Sequence, residues 1–333
     1  MEREQEEMQF HGFTGIYKES FKIVSSWKKL FAQISLALVL PLSFIFLAHS
    51  WISQALYFRI IGDSINRADT SPYDEAYARL SRSIDSAWTL LVLSKLAYFT
   101  FVLLLSLLST SAVVYTIACI YTGKDVTFMK VMRVVPRVWK RLVVTFLWSF
   151  LVFFIYNLFF GGVALAIALF IGSFSSFITA IVILLILYLV GFAYMAMIWQ
   201  LASVISVLED NYGRQAVVKS KALIKGRVRV SVGCFAGLTG LFMAVQVAFE
   251  LLVVISLVPV GLVSRILIGS AFAVVLMGVV LLGLVVQTVL YLVCKSFHGE
   301  NINKPALADH LEVYRGDYVP LMAQSIQLGE ISV

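Results

Sequence analysis

The chain has 333 residues, of which 60% are hydrophobic and 14% charged, and it carries a formal net charge of +7. With a mean hydropathy of +0.92, this composition argues against two soluble domains and for an all-α membrane protein that crosses the bilayer several times. The positive charge does not point to nucleic acid, because the Lys and Arg residues gather beside apolar segments, where they set helix orientation.

Taken in order, residues 1–29 form an N-terminal segment that opens acidic (Glu2, Glu4, Glu6, Glu7) and turns amphipathic through Tyr17 to Lys29, with Lys18, Lys22 and Lys29 on one face. No cleavable signal peptide is expected, since the first apolar run begins only near Leu30. That run, about 30–52, is long enough to cross about 30 Å of hydrocarbon, and Pro41 is expected to kink it. Residues 53–87 read as a near-neutral hydrophilic loop, with Arg59, Arg67, Arg79 and Arg82 against Asp63, Asp69, Asp74, Glu75 and Asp85. Within it, Ser71-Pro72 reads as an N-cap followed by proline, so a helix should start outside the bilayer and run into the second span, about 88–122.

From Leu142 to Leu208 there is no Asp, Glu, Lys or Arg. This stretch suits two crossings, about 142–171 and 176–208, turning at Gly172 to Ser176, although Gly161-Gly162 could split the first. Spans at about 230–258 and 266–294 complete a six-span helical bundle over 30–294, followed by a polar tail, 295–333.

Two basic linkers fix the expected orientation. Residues 124–141 contain Lys124, Lys130, Arg133, Arg137, Lys140 and Arg141 against Asp125 alone. Read as a helix, they place Lys130, Arg133, Arg137, Lys140 and Arg141 on one face and valines, Met132 and Trp139 over the rest, the pattern of a basic amphipathic helix at a membrane surface. Residues 209–229 carry six basic residues against Glu209 and Asp210, with Arg214, Lys221, Lys225 and Arg229 on one face. The opposite side has only the near-neutral loop and Arg265. Both linkers and both termini are therefore expected in the cytoplasm; the sequence does not distinguish the endoplasmic reticulum from the plasma membrane.

Shifting the chain by 88 residues aligns Arg133, Arg137 and Arg141 with Lys221, Lys225 and Arg229; shifting by 112 aligns Trp27-Lys28-Lys29-Leu30 with Trp139-Lys140-Arg141-Leu142. These offsets read as three tandem units, each an interfacial basic helix followed by a transmembrane hairpin. A helix should then occupy each of 17–29, 126–141 and 214–229.

Two charges fall inside the spans. Lys95 is seven residues from Trp88 and Glu250 nine from Pro259, so both lie about 10–13 Å in from the same surface. A Lys95–Glu250 pair with Gln246 beside it would be a coupling or substrate site, or a structural ion pair. Gly233-x-x-x-Gly237 with Gly240 would admit a helix at close range, in the same chain or in a second copy. Asn157, Gln200 and Gln287 can bond between helices.

No nucleotide, serine-hydrolase or zinc-protease motif occurs, and the histidines (11, 49, 298, 310) have no metal-ligand spacing. No catalytic set, metal or cofactor is expected. The scattered Cys119, Cys234 and Cys294 give no disulfide framework. Each is near the cytoplasmic end of its span, where S-palmitoylation occurs, or is a buried thiol.

Three stretches carry a resemblance: Phe13-Thr14-Gly15-Ile16-Tyr17-Lys18-Glu19-Ser20, Cys294-Lys295-Ser296-Phe297-His298, and the tail from Asp309-His310-Leu311-Glu312-Val313-Tyr314 to Tyr318-Val319-Pro320-Leu321. They resemble a family of uncharacterised multi-pass membrane proteins from plants, some labelled as binding partners of a polyadenylate-binding protein. Leu208-Glu209-Asp210 to Lys225-Gly226 also resembles the membrane domains of bacterial glycerophosphodiester phosphodiesterases. Their catalytic part has no counterpart here, so that activity is not implied. The expectation is a non-enzymatic membrane protein that binds the anionic leaflet through Lys130, Arg133, Arg137, Lys140, Arg141, Lys221, Lys225 and Arg229 and recruits a cytoplasmic partner through its tail. The alternative is a small-molecule or ion transporter with a site near Lys95, Gln246 and Glu250.

Overall fold

Helix is the only regular structure among the described residues, as lipid requires of a backbone that must satisfy its own hydrogen bonds. The computed structural model describes residues 12–170, 173–255 and 261–299. Their helices are α1 (Phe13–Ser26), α2 (Lys28–Ala68), α3 (Glu75–Thr122), α4 (Phe128–Phe170), α5 (Phe174–Leu208), α6 (Arg214–Ile224), α7 (Val228–Val254) and α8 (Leu262–Phe297). Six of them, α2–α5, α7 and α8, are long and apolar enough to cross a membrane. The tail beyond Gly299 and the Pro259-Val260 stop of the fifth span lie outside the described residues, whereas Lys295–Phe297 of the expected tail continue α8.

Most of the expected 53–87 loop is helix. Helix α2 continues to Ala68 and α3 begins at Glu75, so only 69–74 turn. At 1.5 Å per residue, helices of 41 and 48 residues reach about 60 and 70 Å, well over the hydrocarbon thickness of about 30 Å. The overrun is held by Leu56 and Ile60 of α2 against Ala87 and Leu91 of α3, and by Ser83, which donates to Asp63 (2.7 Å) and accepts from Arg59 (3.1 Å). The cap of α3 is Asp74, whose Oδ1 accepts from the Ala76 amide at 3.2 Å, rather than Ser71. Asp74 is the extended residue directly before the first turn, the one place where a side-chain oxygen reaches those amides.

Pro41 does disturb the first span. A π-helical turn at Ser35–Val39 directly precedes it, widening the backbone where the proline ring would crowd a carbonyl. Pro136 and Gly161-Gly162, by contrast, leave α4 unbroken. From Phe128 on, the basic 124–141 linker is therefore not a separate helix on the membrane surface but the first part of α4, continuous with the span. Helices α1 and α6 are separate, ending at Trp27 and at Lys225–Arg227. Gly226 makes the second break possible: its φ of +98° and the Phe297 ring, 2.9 Å from where a Cβ would sit, both exclude a side chain.

The main core lies at the end that carries the basic linkers. There the last turns of α3 (Ala112–Cys119), α5 (Leu201–Leu208) and α8 (Val285–Cys294) meet Ile16, Phe31, Ile34, the Val131–Val138 stripe, Leu223 and Ile224. Helices α3, α5 and α8 each contact the other two. Helix α2 packs against α3 and α8, α4 against α5 and α3, and α7 against α8 and α5. The short helices follow the same order: α1 lies on α8 and α7, α6 on α5 and α4. Away from this end α4 and α5 lean chiefly on each other, through Tyr156, Tyr188, Phe153 and Phe192, and expose Phe159, Leu165, Leu187 and Val190 as lipid-facing helices do.

Candidate functional site

Alpha-helical spacing gives α2 a polar stripe halfway along its length: His49, Ser53 and Tyr57 lie one turn apart, flanked by Ser50 and Gln54. On one side the stripe meets Glu250 of α7. Glu250 Oε1 accepts from Ser50 Oγ at 2.5 Å and from Gln246 Nε2 at 3.0 Å, and Oε2 accepts from Gln54 Nε2 at 3.2 Å. On the other side it meets α3. His49 stacks on Tyr98 with ring centres 3.8 Å apart, Ser53 Oγ is 3.1 Å from His49 Nε2, and Lys95 Nζ stands 5.7 Å from the Tyr57 ring centre. These residues line an open cleft of about 360 Å³ between α2 and α3.

Lys95 and Glu250 both lie level with the polar stripe of α2, Glu250 beside Ser50 and Gln54 and Lys95 beside Tyr57, but they do not form an ion pair. Helix α2 stands between them, and polar donors occupy Glu250. Among the described residues no acid bridges Lys95. Ser50 and Gln54 reach both sides, since they bond Glu250 and line the cleft of Lys95. Sequence reading singled out the two charges and Gln246 but missed the stripe between them. The i, i+4 recurrence of His49, Ser53 and Tyr57 across an apolar span was the available signal.

A second polar cluster, at the basic end, was also missed. Glu209, the residue after α5, accepts from Tyr291 Oη at 2.6 Å, Lys295 Nζ at 2.7 Å and Asn211 Nδ2 at 3.2 Å, and pairs with Lys219 Nζ at 2.7 Å. Burial pushes its pKa up, but the bonds from Lys219, Lys295 and Tyr291 outweigh burial and hold it at about 2. Three helices, α5, α6 and α8, are fastened there. Nearby, Thr145 Oγ1 accepts from the Gly213 amide at 2.8 Å and lies 2.7 Å from Ser206 Oγ, tying α4 to the start of α6.

Of the expected headgroup ligands, Arg133, Arg137, Lys140, Lys221, Lys225 and Arg229 are exposed, and Lys130 and Arg141 half-buried. Arg141 is partly committed elsewhere: it bonds Asp210 at 3.0 Å and stands over Tyr212. The apolar stripes of these segments, Val131, Val134, Val135 and Val138 in α4 and Ala216, Leu223 and Ile224 in α6, are buried in the protein core rather than turned to lipid.

The small-residue groove of α7 is filled from within the chain. Phe13 and Tyr17 of α1 lie against Gly233 and Gly237, the Tyr17 hydroxyl 2.9 Å from a Cβ built at Gly237, and that hydroxyl donates to Cys234 O at 3.1 Å; Gly240 faces open space. All three cysteines are buried. Asn157 Oδ1 accepts from Tyr188 across the α4–α5 hairpin. No group of three His, Cys, Asp or Glu stands together as metal ligands among the described residues.

No curated protein and no solved structure matches the chain. A match over residues 1–331 shows its kin: the chain belongs to the family described as a domain of unknown function, DUF8558.

Proposed function

We propose that the protein is a non-enzymatic integral membrane protein whose basic end faces the cytoplasm and holds anionic lipid. The observation that carries this reading is the two-sidedness of α4 and α6: valine, leucine and isoleucine stripes buried in protein, with Arg133, Arg137, Lys140, Lys221, Lys225 and Arg229 outward. Because the apolar faces are occupied, these segments meet lipid by charge and not by insertion. Each exposed cation near an anionic leaflet contributes about 1 kcal/mol, screened by salt. The excess of positive charge on the same residues favours a cytoplasmic position for both termini.

The reading includes three tandem units, closed into a ring. Cyclic packing supports it: each unit's basic segment rests on the second span of the unit before, α4 on α3, α6 on α5, and α1 on α8. Ile16 and Ser20 of α1 correspond to Ala216 and Ser220 of α6, at a spacing equal to the two sequence offsets combined, and all four are buried. The extra length of the first offset, 112 against 88, matches the overrun of α2 and α3. The tail is the expected site of a cytoplasmic partner, on the strength of the likeness to plant membrane proteins labelled as polyadenylate-binding-protein partners.

The test is lipid retention. Protein extracted with its surrounding lipid in polymer discs should be enriched in anionic over zwitterionic lipid, the enrichment falling with salt. Replacing Arg133, Arg137, Lys221 and Lys225 with Gln should cut it several-fold. Unchanged enrichment and unchanged orientation in the variant would defeat the reading.

A second reading, transport of a small molecule or ion past Lys95 and Glu250, draws on a separate observation. The 360 Å³ cleft and the α2 stripe connect the two charges at bilayer depth.

A further inference from the structure

Lys95 poses the sharpest question in the molecule. It lies seven residues from Trp88 and ten from Asp85 along α3, about 10–15 Å inside the charged outer layer. A cation at that depth without an acid is costly unless it reaches water, a headgroup or a partner. Side chains on a helix lean toward its N-terminus, so Lys95 leans outward along α3 while Tyr57 leans inward along α2. They converge at the mouth of the cleft, where Nζ stands 5.7 Å from the Tyr57 ring centre. Deeper in, Ser53 and the His49–Tyr98 stack supply neutral polar groups. The opposite charge does not enter: Glu250 is turned to the far side of α2, where it accepts from Ser50, Gln54 and Gln246. The cleft therefore has a cationic rim and a neutral floor, bordered by exposed Phe58 and Ile61.

We propose that this cleft is a lateral binding site for the anionic headgroup of a membrane amphiphile, with Lys95 as its cation. Depth selects the ligand class. A soluble anion would have to leave water to reach Lys95, whereas an amphiphile arrives within the leaflet with its headgroup just above, and its chain lies along the apolar flank of α2. Ser53, His49 and Tyr57 offer hydrogen bonds to phosphate or carboxylate oxygens. The site lies in the leaflet opposite the basic linkers. It rests on the second reading above for its place, and not for any movement of the ligand.

The experiment is photolabelling of the full chain in bilayers with a diazirine-bearing phosphatidic acid, the phosphatidylcholine analogue serving as control. Adducts are mapped by peptide mass spectrometry. The expected result is labelling of α2 around Ser53–Ile61 and of α3 around Lys95, about tenfold weaker in Lys95→Gln and restored in Lys95→Arg. It should survive the Gln substitutions at Arg133, Arg137, Lys221 and Lys225, which remove only adducts at the basic end. Equal labelling by the zwitterionic analogue, or labelling indifferent to Lys95→Gln, would overturn the proposal. Full competition by glycerol phosphate would overturn it too, by assigning the site to a soluble anion. Labelling that persists in a protein with no flux would defeat the transport reading and leave this site standing.

Discussion

Replacing Glu209 with Gln should cost more stability than any other single polar change at the basic end. The carboxylate is 11% exposed and takes bonds from Lys219, Lys295 and Tyr291. A carboxyl whose pKa falls from the ordinary 4.5 to about 2 on folding contributes about 3 kcal/mol at neutral pH. The amide in Glu209→Gln would keep the shape and one acceptor but leave Lys219 and Lys295 facing each other without an anion, so a loss of about 2–4 kcal/mol is expected. For a chain of this size that corresponds to a fall in Tm of about 3–6 °C. A thiol-reactive fluorogenic dye can read the transition, because Cys119, Cys234 and Cys294 are all buried until the bundle opens. The pH dependence has a definite sign. Because the folded pKa is depressed, the stabilisation is complete above pH 4.5 and is lost as pH falls through about 2, so wild type and Glu209→Gln should converge between those values. A Tm within about 1 °C of wild type at neutral pH, or a gap that widens on acidification, would refute the reasoning.

Three further outcomes follow from the packing. Gly226→Ala forces a Cβ into a φ of +98° and against the Phe297 ring, and should lower stability by about 1–3 kcal/mol in the same assay. Thr145→Val removes the acceptor of the buried Gly213 amide and the contact with Ser206; a loss of about 1–3 kcal/mol is expected, against little change for the exposed Thr89→Val. Gly237→Leu should drive Tyr17 off α7 and release α1, seen as faster hydrogen exchange over Phe13–Ser26 with α3 and α5 unchanged; uniform exchange across the chain would count against a docked α1.

The six crossings were legible because hydropathy over twenty residues is a strong and local signal. What lay just outside the apolar runs was less so. Averaging charge over 53–87 gave a polar loop, yet Leu56 and Ile60 continue the helical spacing of α2 and Arg59–Asp63 stand four apart, a signature of exposed helix. Pro136 is by itself a helix breaker, yet α4 carries it without a break because a missing amide is tolerable where neighbouring helices hold the turn in place. The depth of Lys95 and Glu250 could be counted from Trp88 and Pro259; their separation by α2 could not, since rotational phase between helices is set by packing. Glu209 entered the charge count as one acid in a linker, and nothing local links it to a tyrosine and a lysine 82 and 86 residues away.

The central claim, that the end carrying both basic linkers lies in the cytoplasm, is tested most directly by side-specific labelling. Single cysteines placed at Arg133, Lys221 and the fully exposed Tyr73, in a chain lacking the three native ones, would be exposed to a membrane-impermeant maleimide in sealed vesicles of known orientation. The account predicts that Arg133→Cys and Lys221→Cys react only from the cytoplasmic face and Tyr73→Cys only from the other. Reaction of Tyr73→Cys and Lys221→Cys from the same face, or of Lys221→Cys from the non-cytoplasmic one, would contradict it.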